Sequence, residues 1–343
     1  IEPTTGQVLA IVSSPSYDPN LLVGRHFSSN FALLEQDKSA PLFHRPIMAM
    51  YPPGSIFKLV QALVGLQEKV LHRHTRYQCN KRLVKCHAHP SPLPLHQAIQ
   101  YSCNPYFYHV FRNIINQQVV EDTYEDTRIG LAKWRRYLYD LGLGTTLAID
   151  LPGEKQGFVP SAQFYDARYG PGRWKVSTIR SLDIGQGELL VTPLQMANLA
   201  ATIANRGYYY TPHLVQQVGQ ATTEPKTTTK HTVSIDPAHF EFVAQAMHQS
   251  VEAGTSWRVR IKGIPVCAKT GTAENPHGED HAACIAFAPL KNPSIALAVY
   301  VENAGWGARA GAAVAGLVVE HYLRQSISRP WIENYVLKGD FFH

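Results

Sequence analysis

The chain has 343 residues, 45% of them hydrophobic, enough for one large globular domain or two smaller ones with a sizeable core. Its 32 basic and 26 acidic side chains give a net charge of +6 without a dense Lys/Arg block, which argues against a nucleic-acid footprint and leaves only mild attraction to an anionic polymer or membrane surface. No apolar stretch approaches the roughly eighteen residues that span a bilayer and no charged-then-apolar leader opens the sequence, so the segment is expected to be soluble as it stands.

The opening "IEPTTGQVLAIVSSPSYDPN" starts within a turn and runs straight into a strand predicted over residues 7–13, as an excised piece of a longer protein would. Apolar Ile56, Leu59, Val60, Leu63 and Leu66 recur at helical spacing and predict an amphipathic helix from Ile56 to about Lys69, with Ser55 at its start. A loop rich in Cys, His and Pro, Arg76 to Leu93, leads to a second helical stretch near Leu95 to Ile115. The run "TPLQMANLAATIANRG" predicts a helix capped by Thr192, with Pro193 at its first position and Gly207 past its end. The polar "GQATTEPKTTTKHTVS" reads as a surface hairpin or loop, and Asp236 to Ala253 as a helix.

Three strand-like runs follow, "IPVCAKTGTAE", "AACIAFAP" and "SIALAVYVEN", before the Gly/Ala-rich "RAGAAVAGLVVEHYL", a helix whose small face could lie close against a sheet. Helices and strands that do not alternate predict an α+β fold with a central antiparallel sheet flanked by helices, rather than a doubly wound one. The sheet would draw on residues 1–50 and 255–343 of a single domain, and residues 51–254 would form a mainly helical insertion.

Ser55 and Lys58 stand three apart on one helix face, so the lysine amine can reach the serine hydroxyl. A serine needs an adjacent base to act as a nucleophile, and a lysine serves only if desolvation or nearby positive charge populates its neutral form. Alone the pair is weak, since Ser-x-x-Lys is expected about once by chance in a chain this long, and a Ser cap with a surface Lys is the commoner reason for it. "YSCN" then adds Ser102 and Asn104, and "AKTGTAE" adds Lys269, Thr270, Gly271 and Thr272; Lys-Thr-Gly is expected only about 0.07 times per chain, and here it sits on an apolar strand. The three motifs in this order are the signature shared by β-lactamases and penicillin-binding proteins.

Each part has a physical use. Backbone N–H groups of Ser55 and Thr272 can face a developing oxyanion, and Gly271 leaves room for substrate backbone along the strand edge. Lys269, Thr270 and Thr272 can bind a substrate carboxylate, Ser102 can relay a proton between Lys58 and a leaving nitrogen, and Asn104 can orient Lys58 or a substrate amide.

Taken over nearly its whole length, through "TTGQVLAIVSSPSYDPN", "YPPGSIFKLV", "YSCNPYFYHV", "AIDLPGE", "DIGQGELLVTPLQMANLAATIANRG", "AKTGTAE" and "FAPLKNPSIALAVYVENAG", the sequence resembles the transpeptidase domain of class B penicillin-binding proteins, in particular the elongation type, penicillin-binding protein 2. The resemblance implies the penicillin-binding transpeptidase/serine β-lactamase-like fold and a D,D-transpeptidase that cross-links peptidoglycan. In such enzymes the serine, here Ser55, is acylated by the penultimate D-alanine of a pentapeptide stem, an amine of a neighbouring stem resolves the ester, and β-lactams acylate the same serine. It also implies an N-terminal membrane anchor and pedestal outside this chain, a periplasmic or extracytoplasmic location, and a membrane-embedded glycosyltransferase and elongation scaffold as partners of the full-length protein.

No cofactor is required for acylation, but some elongation-type members are similar in holding zinc near the active site through the middle residue of the Ser-x-Asn motif. On that basis Cys79, Cys86, His89 and Cys103 are the expected ligands, with His87 as substitute for a histidine. The competing expectations are a Cys79–Cys86 disulfide, natural in an oxidising compartment, or free thiols; Cys267 and Cys284, in apolar strand-like runs, are expected in the core.

Three other functions share some of these features. A β-lactamase hydrolyses its acyl-enzyme, yet no segment resembles the Glu-x-x-x-Asn context of class A enzymes. A D,D-carboxypeptidase passes the acyl group to water. A β-lactam-binding sensor acts by binding alone. "DIGQG", Asp183 to Gly187, resembles a loop flanking the cleft in the family and reads equally as a Gly-rich turn; Glu302 and Asn303 read as a solvated turn that could line the acceptor side.

Overall fold

The computed structural model describes residues 1–219, 221–222 and 229–342. Helix α1 (Phe27–Gln36) and the short α2 (Arg45–Met48) precede a 3-10 turn, Gly54–Phe57, that runs directly into α3 (Lys58–Gln67). Strands β1 (Arg76–Tyr77) and β2 (Leu93–Pro94) bracket the Cys/His loop, and four helices follow: α4 (Leu95–Gln100), α5 (Asn104–Ile115), α6 (Thr123–Asp140) and α7 (Ala162–Tyr169). After α8 (Pro193–Ala204) come β3 (Tyr208–Tyr210), the pair β4 (Gln217–Val218) and β5 (Ala221–Thr222), β6 (Lys230–Thr232) and α9 (Pro237–Ala253). The sheet β7 (Cys267–Ala273), β8 (His281–Ala288) and β9 (Ile295–Val301) and the helices α10 (Ala310–Arg324) and α11 (Pro330–Leu337) complete the described chain.

The sheet is antiparallel in the order β7-β8-β9, with Lys269 opposite Ile285 and Thr272 opposite Ala282. Alternation sorts its side chains: Cys267, Ala283, Ile285, Phe287 and Ala296 join the large core shared with α3, α8 and α9, while Ala268, Cys284, Ala286 and Leu297 join a second core with Ala312, Ala315 and Val319 of α10. The small face of α10 does lie close, since a Cβ on Gly311 would fall 2.9 Å from the Ala283 carbonyl carbon. Both Cys267 and Cys284 are buried, as expected. The fold is therefore the α+β arrangement with an antiparallel sheet that the sequence suggested.

Helix α3 lies at the centre. Lys58 through Leu66 are all buried, and each large apolar side chain among them contributes about 1.5–3 kcal/mol relative to exposure. Trp134 of α6 packs edge-on to Phe57 and donates to the Gln61 side chain at 3.1 Å. The α8 prediction holds in detail: Thr192 and Gln195 form a reciprocal capping box, Pro193 begins the helix and Gly207 adopts φ +109° beyond it.

Three readings change. Residues 7–13 form no strand; Gln7 makes one bridge to His213 and Val8 donates to the His213 carbonyl, but the rest of this apolar run has no neighbouring strand to pair with. Backbone pairing to the sheet occurs instead at Ile1, which exchanges two bonds of 2.8 Å with Ala296 of β9. The stretch Leu95 to Ile115 is two helices, broken where Ser102 takes the left-handed φ of +55°. Helices α6 and α7 also occupy a region left without elements in the sequence reading. Of the polar run after Val218, Ala221–Thr222 pairs with Gln217–Val218, whereas residues 220 and 223–228 lie outside the described residues.

Candidate active site

Pro52 and Pro53 halt the chain before the 3-10 turn Gly54–Phe57 that carries Ser55, and the Lys58 N–H bonds back to the Ser55 carbonyl. The half-buried Ser55 hydroxyl makes no hydrogen bond among the described residues. Gly54 has φ +55°, and a Cβ there would stand 2.5 Å from the Thr272 carbonyl oxygen and 3.2 Å from its nitrogen. The Ser55 turn is thus seated against the backbone of β7 at a distance only glycine allows. Its register is held from the other side by Gly54 N–H donating to the Gly185 carbonyl at 2.9 Å.

Lys58 is fully buried. Its Nζ contacts the Ser102 carbonyl at 2.7 Å, the Ser102 hydroxyl at 3.1 Å and Asn104 Oδ1 at 2.5 Å. Burial lowers its pKa to about 8, against the raising pull of Cys86, Cys103 and Asp183. Lys269, also fully buried, donates to the Ser102 hydroxyl and to the Thr270 carbonyl, both at 2.9 Å, and burial with the neighbouring Lys58 charge holds its pKa well below the usual lysine value. The kink at Ser102 accounts for this convergence: it turns the Ser102 hydroxyl and carbonyl toward Lys58, and Asn104 begins α5 one residue beyond Cys103.

Among the described residues no strand pairs with the outer edge of β7, which faces the Ser55 turn. Thr270 donates to Thr255 at 3.1 Å, the Thr272 hydroxyl accepts the Gly307 N–H at 3.2 Å, and the Thr272 carbonyl accepts from Gln186 Nε2 at 3.1 Å. Gln186 belongs to "DIGQG", so that loop does reach the cleft. A Cβ on Gly271 would meet the Pro53 carbonyl at 2.8 Å, so glycine here lets the Ser55 turn pack closely on the strand.

Sequence reasoning did not single out Asp183 within that loop. It is buried, and burial pushes its pKa up to about 7 despite the lowering charges of Lys58 and Arg180. Nothing in the residue itself marks it; a carboxylate amid "SLDIGQG" becomes notable only once the loop is packed behind Lys58. Glu302 is tied down as well, accepting from Tyr51 at 2.5 Å and pairing with Arg45 at 3.7 Å, although it stays exposed.

The four residues expected to bind metal come together. Single ligand atoms of Cys79, Cys86, His89 and Cys103 all lie within 4.8 Å of one another, with Cys86 Sγ 3.3 Å from His89 Nε2. His87 is outside this set and packs its ring edge-on against His89. All five cysteines are free thiols, so the Cys79–Cys86 disulfide is not the state found. The hydrogen bond between Cys86 and Cys103 pulls the Cys86 thiol down and pushes the Cys103 thiol up. Three sulfurs and one imidazole are a donor set that suits tetrahedral Zn²⁺. The same loop reaches the Ser-x-Asn motif, because Asn104 Nδ2 donates to the Lys85 carbonyl at 2.8 Å.

Comparison with known proteins places this geometry in a family. Residues 1–323 match the penicillin binding protein transpeptidase domain. The chain is 28% identical over 352 residues to the peptidoglycan D,D-transpeptidase MrdA of Acinetobacter baumannii, covering 94% of this chain and 50% of that protein. It is similar to PBP2 of Pseudomonas aeruginosa in complex with WCK 5153, with a TM-score of 0.76 and 32% identity over 94% of this chain and 72% of that one. It is also similar to PBP2 of Helicobacter pylori in its complex with MreC, with a TM-score of 0.74 and 25% identity over 95% of this chain and 60% of that one. The chain spans about half the length of the curated relatives it matches. With a solved PBP2 and a peptidoglycan transpeptidase aligned along nearly all of it, the chain belongs to the penicillin-binding protein transpeptidase family, in its elongation-type class B group.

Proposed function

We propose that this chain is the acyl-transfer unit of a peptidoglycan D,D-transpeptidase, with Ser55 as nucleophile and Lys58 as its base. The row Lys58, Ser102, Lys269, one turn from an unbonded serine hydroxyl, carries the assignment. A neutral lysine amine has two N–H donors and one lone pair. The Ser102 carbonyl and Asn104 Oδ1 can take the two donors, which leaves the lone pair for a hydroxyl proton.

Ser55 Oγ attacks the carbonyl of the penultimate D-alanine while its proton passes to Lys58 Nζ. The oxyanion is held by the Ser55 and Thr272 N–H groups, and the terminal D-alanine carboxylate by Lys269, Thr270 and Thr272, with Gly271 admitting substrate backbone to the β7 edge. The Lys58 proton travels through the Ser102 hydroxyl to the leaving nitrogen, the C–N bond breaks, and D-alanine departs. An amine of a second stem then attacks the Ser55 ester, giving up its proton along the same row and freeing the Ser55 hydroxyl. Asn104 keeps Lys58 aligned throughout. β-Lactams would acylate Ser55 by the first half of this sequence.

Cys79, Cys86, His89 and Cys103 would hold Zn²⁺, whose part is structural: it would clip the loop bearing Lys85 to the start of α5. The site would work on the outer side of the cytoplasmic membrane. No helix among the described residues is long and apolar enough to cross one. A scaffold of the MreC kind, with which the Helicobacter pylori PBP2 was solved, and a peptidoglycan polymerase fit as partners of the full-length protein.

Incubation with a fluorescent penicillin, followed by mass spectrometry of the labelled peptide and by the rate of release, tests the assignment. A label on Ser55 that persists for many minutes is expected. Release within seconds would favour a β-lactamase, and an unlabelled Ser55 would remove the proposal.

A further inference from the structure

Away from the motif residues, one cavity of about 390 Å³ opens between α5, the start of α6 and residues 175–180. Its walls continue those of the cleft. Asn104, Tyr108 and Arg112 succeed one another at four-residue steps along one face of α5, so the cavity lies ~6 to ~12 Å along the helix from Asn104. Arg180 opens the 3-10 turn Arg180–Ile184, whose next residues, Gly185 and Gln186, bond to Gly54 and Thr272.

The lining is rich in unspent polarity. The side chains of Arg112, Lys175 and Arg180 form no ion pair or hydrogen bond among the described residues, although each lines the same cavity. Of the two acids there, Asp126 is already committed: it accepts from Asn116 Nδ2, Gln118 N and Val119 N at 2.8–3.2 Å. Glu121 sits exposed at the rim. Asn116 is pinned with its amide nitrogen on Asp126 and Thr127, and its Oδ1 is buried without a partner. Arg180 acts on the buried Asp183 charge, which leaves Arg112 and Lys175 as two exposed, uncommitted cations beside one orphaned acceptor, a combination that suits a ligand carrying a carboxylate and a peptide N–H.

We infer that this cavity is a subsite for the donor stem peptide, binding a carboxylate borne some residues before the D-alanine that acylates Ser55. This rests on the acyl-transfer reading above. An extended peptide advances ~3.3 Å per residue, so the ~6 to ~12 Å between Asn104 and Arg112 corresponds to about two to four residues of donor. Arg112 and Lys175 grip the carboxylate, and the Asn116 oxygen takes a backbone N–H. The cavity thereby selects acidic stems over amidated ones.

Competition decides it. The probes are N-acetyl-Glu-Lys-D-Ala-D-Ala and the same peptide with Gln for Glu, each used to slow fluorescent-penicillin labelling of Ser55. The acidic peptide is expected to protect at least about tenfold better, the scale of one charge-assisted hydrogen bond. In the Arg112→Gln, Lys175→Gln double variant, with each protein normalised to its own labelling rate, that ratio is expected to fall to about one. Equal protection of the unaltered protein by the two peptides, including none by either, overturns the subsite, as does a ratio the double variant leaves intact. A protein that penicillin never labels at Ser55 overturns the acyl-transfer reading, and the subsite with it, and so is a separate result.

Discussion

Lys269 donates to the Ser102 hydroxyl at 2.9 Å although 167 residues of chain separate them. A second lysine, Lys58, meets the same hydroxyl at 3.1 Å, so one oxygen stands between two buried amines. Burial pushes both lysines toward neutrality, and the Lys58 charge adds to the lowering at Lys269. Ser102→Ala should therefore cut the rate of Ser55 acylation by penicillin by about 10²–10⁴-fold, the range for loss of a positioned proton carrier, with little change in melting temperature. Acylation at the normal rate in that variant would remove Ser102 from the proton path.

Acylation should also follow the titration of Lys58. With its pKa near 8, about a tenth of the amine is neutral at pH 7, against about 0.03% for an unperturbed lysine. The base is the deprotonated form, so the second-order acylation rate should climb between about pH 6 and 8 and level off above it. Stopped-flow measurement with a chromogenic β-lactam gives the profile. A rate flat across that range would show that Lys58 is not the base.

Gly54→Ala tests the seating of the Ser55 turn. The added methyl would stand 2.5 Å from the Thr272 carbonyl oxygen, on a backbone whose φ of +55° already disfavours alanine. A stability loss of about 1–3 kcal/mol is expected by chemical denaturation, together with loss of penicillin labelling. Full stability in this variant would mean that β7 can yield.

Protein purified without chelator should carry about one zinc per chain, the complement of a single four-ligand site. Cys79→Ser should lower the zinc content, and chelation should lower the melting temperature by roughly 5 °C, both readable without assaying activity. A metal-free protein whose mass is two protons light would point to a Cys79–Cys86 disulfide instead.

Much of the site was legible because its parts are local. Ser55 and Lys58 share a turn, Ser102 and Asn104 straddle one cysteine, and Lys269 to Thr272 are contiguous, so residue types and spacing suffice to pick them out. The sheet was equally readable, since two-residue alternation distributes Cys284 and Ile285 to opposite cores. What escaped depends on contacts distant in sequence. Helix α6 buries Asp126 and Thr127 alongside Leu131 and Trp134, so its inner face carries no clean apolar stripe. The apolar run Val8 to Val12 looked like a strand but has no partner to make it one. The break at Ser102 was open to view in Pro105, which cannot continue a helix and sits in the first turn of α5, whereas Asp183 and Gln186 gain meaning only from Lys58 and Thr272 across the cleft.

The wholly buried α3 bears on how the enzyme fails. Amide groups on such an element exchange with solvent only when the surrounding structure opens, so those of Leu59 to Leu66 should be among the slowest in the chain to take up deuterium. A base mounted there is as durable as the molecule itself: heat should abolish acylation and tertiary structure in a single step, with no interval in which a folded protein has lost its lysine.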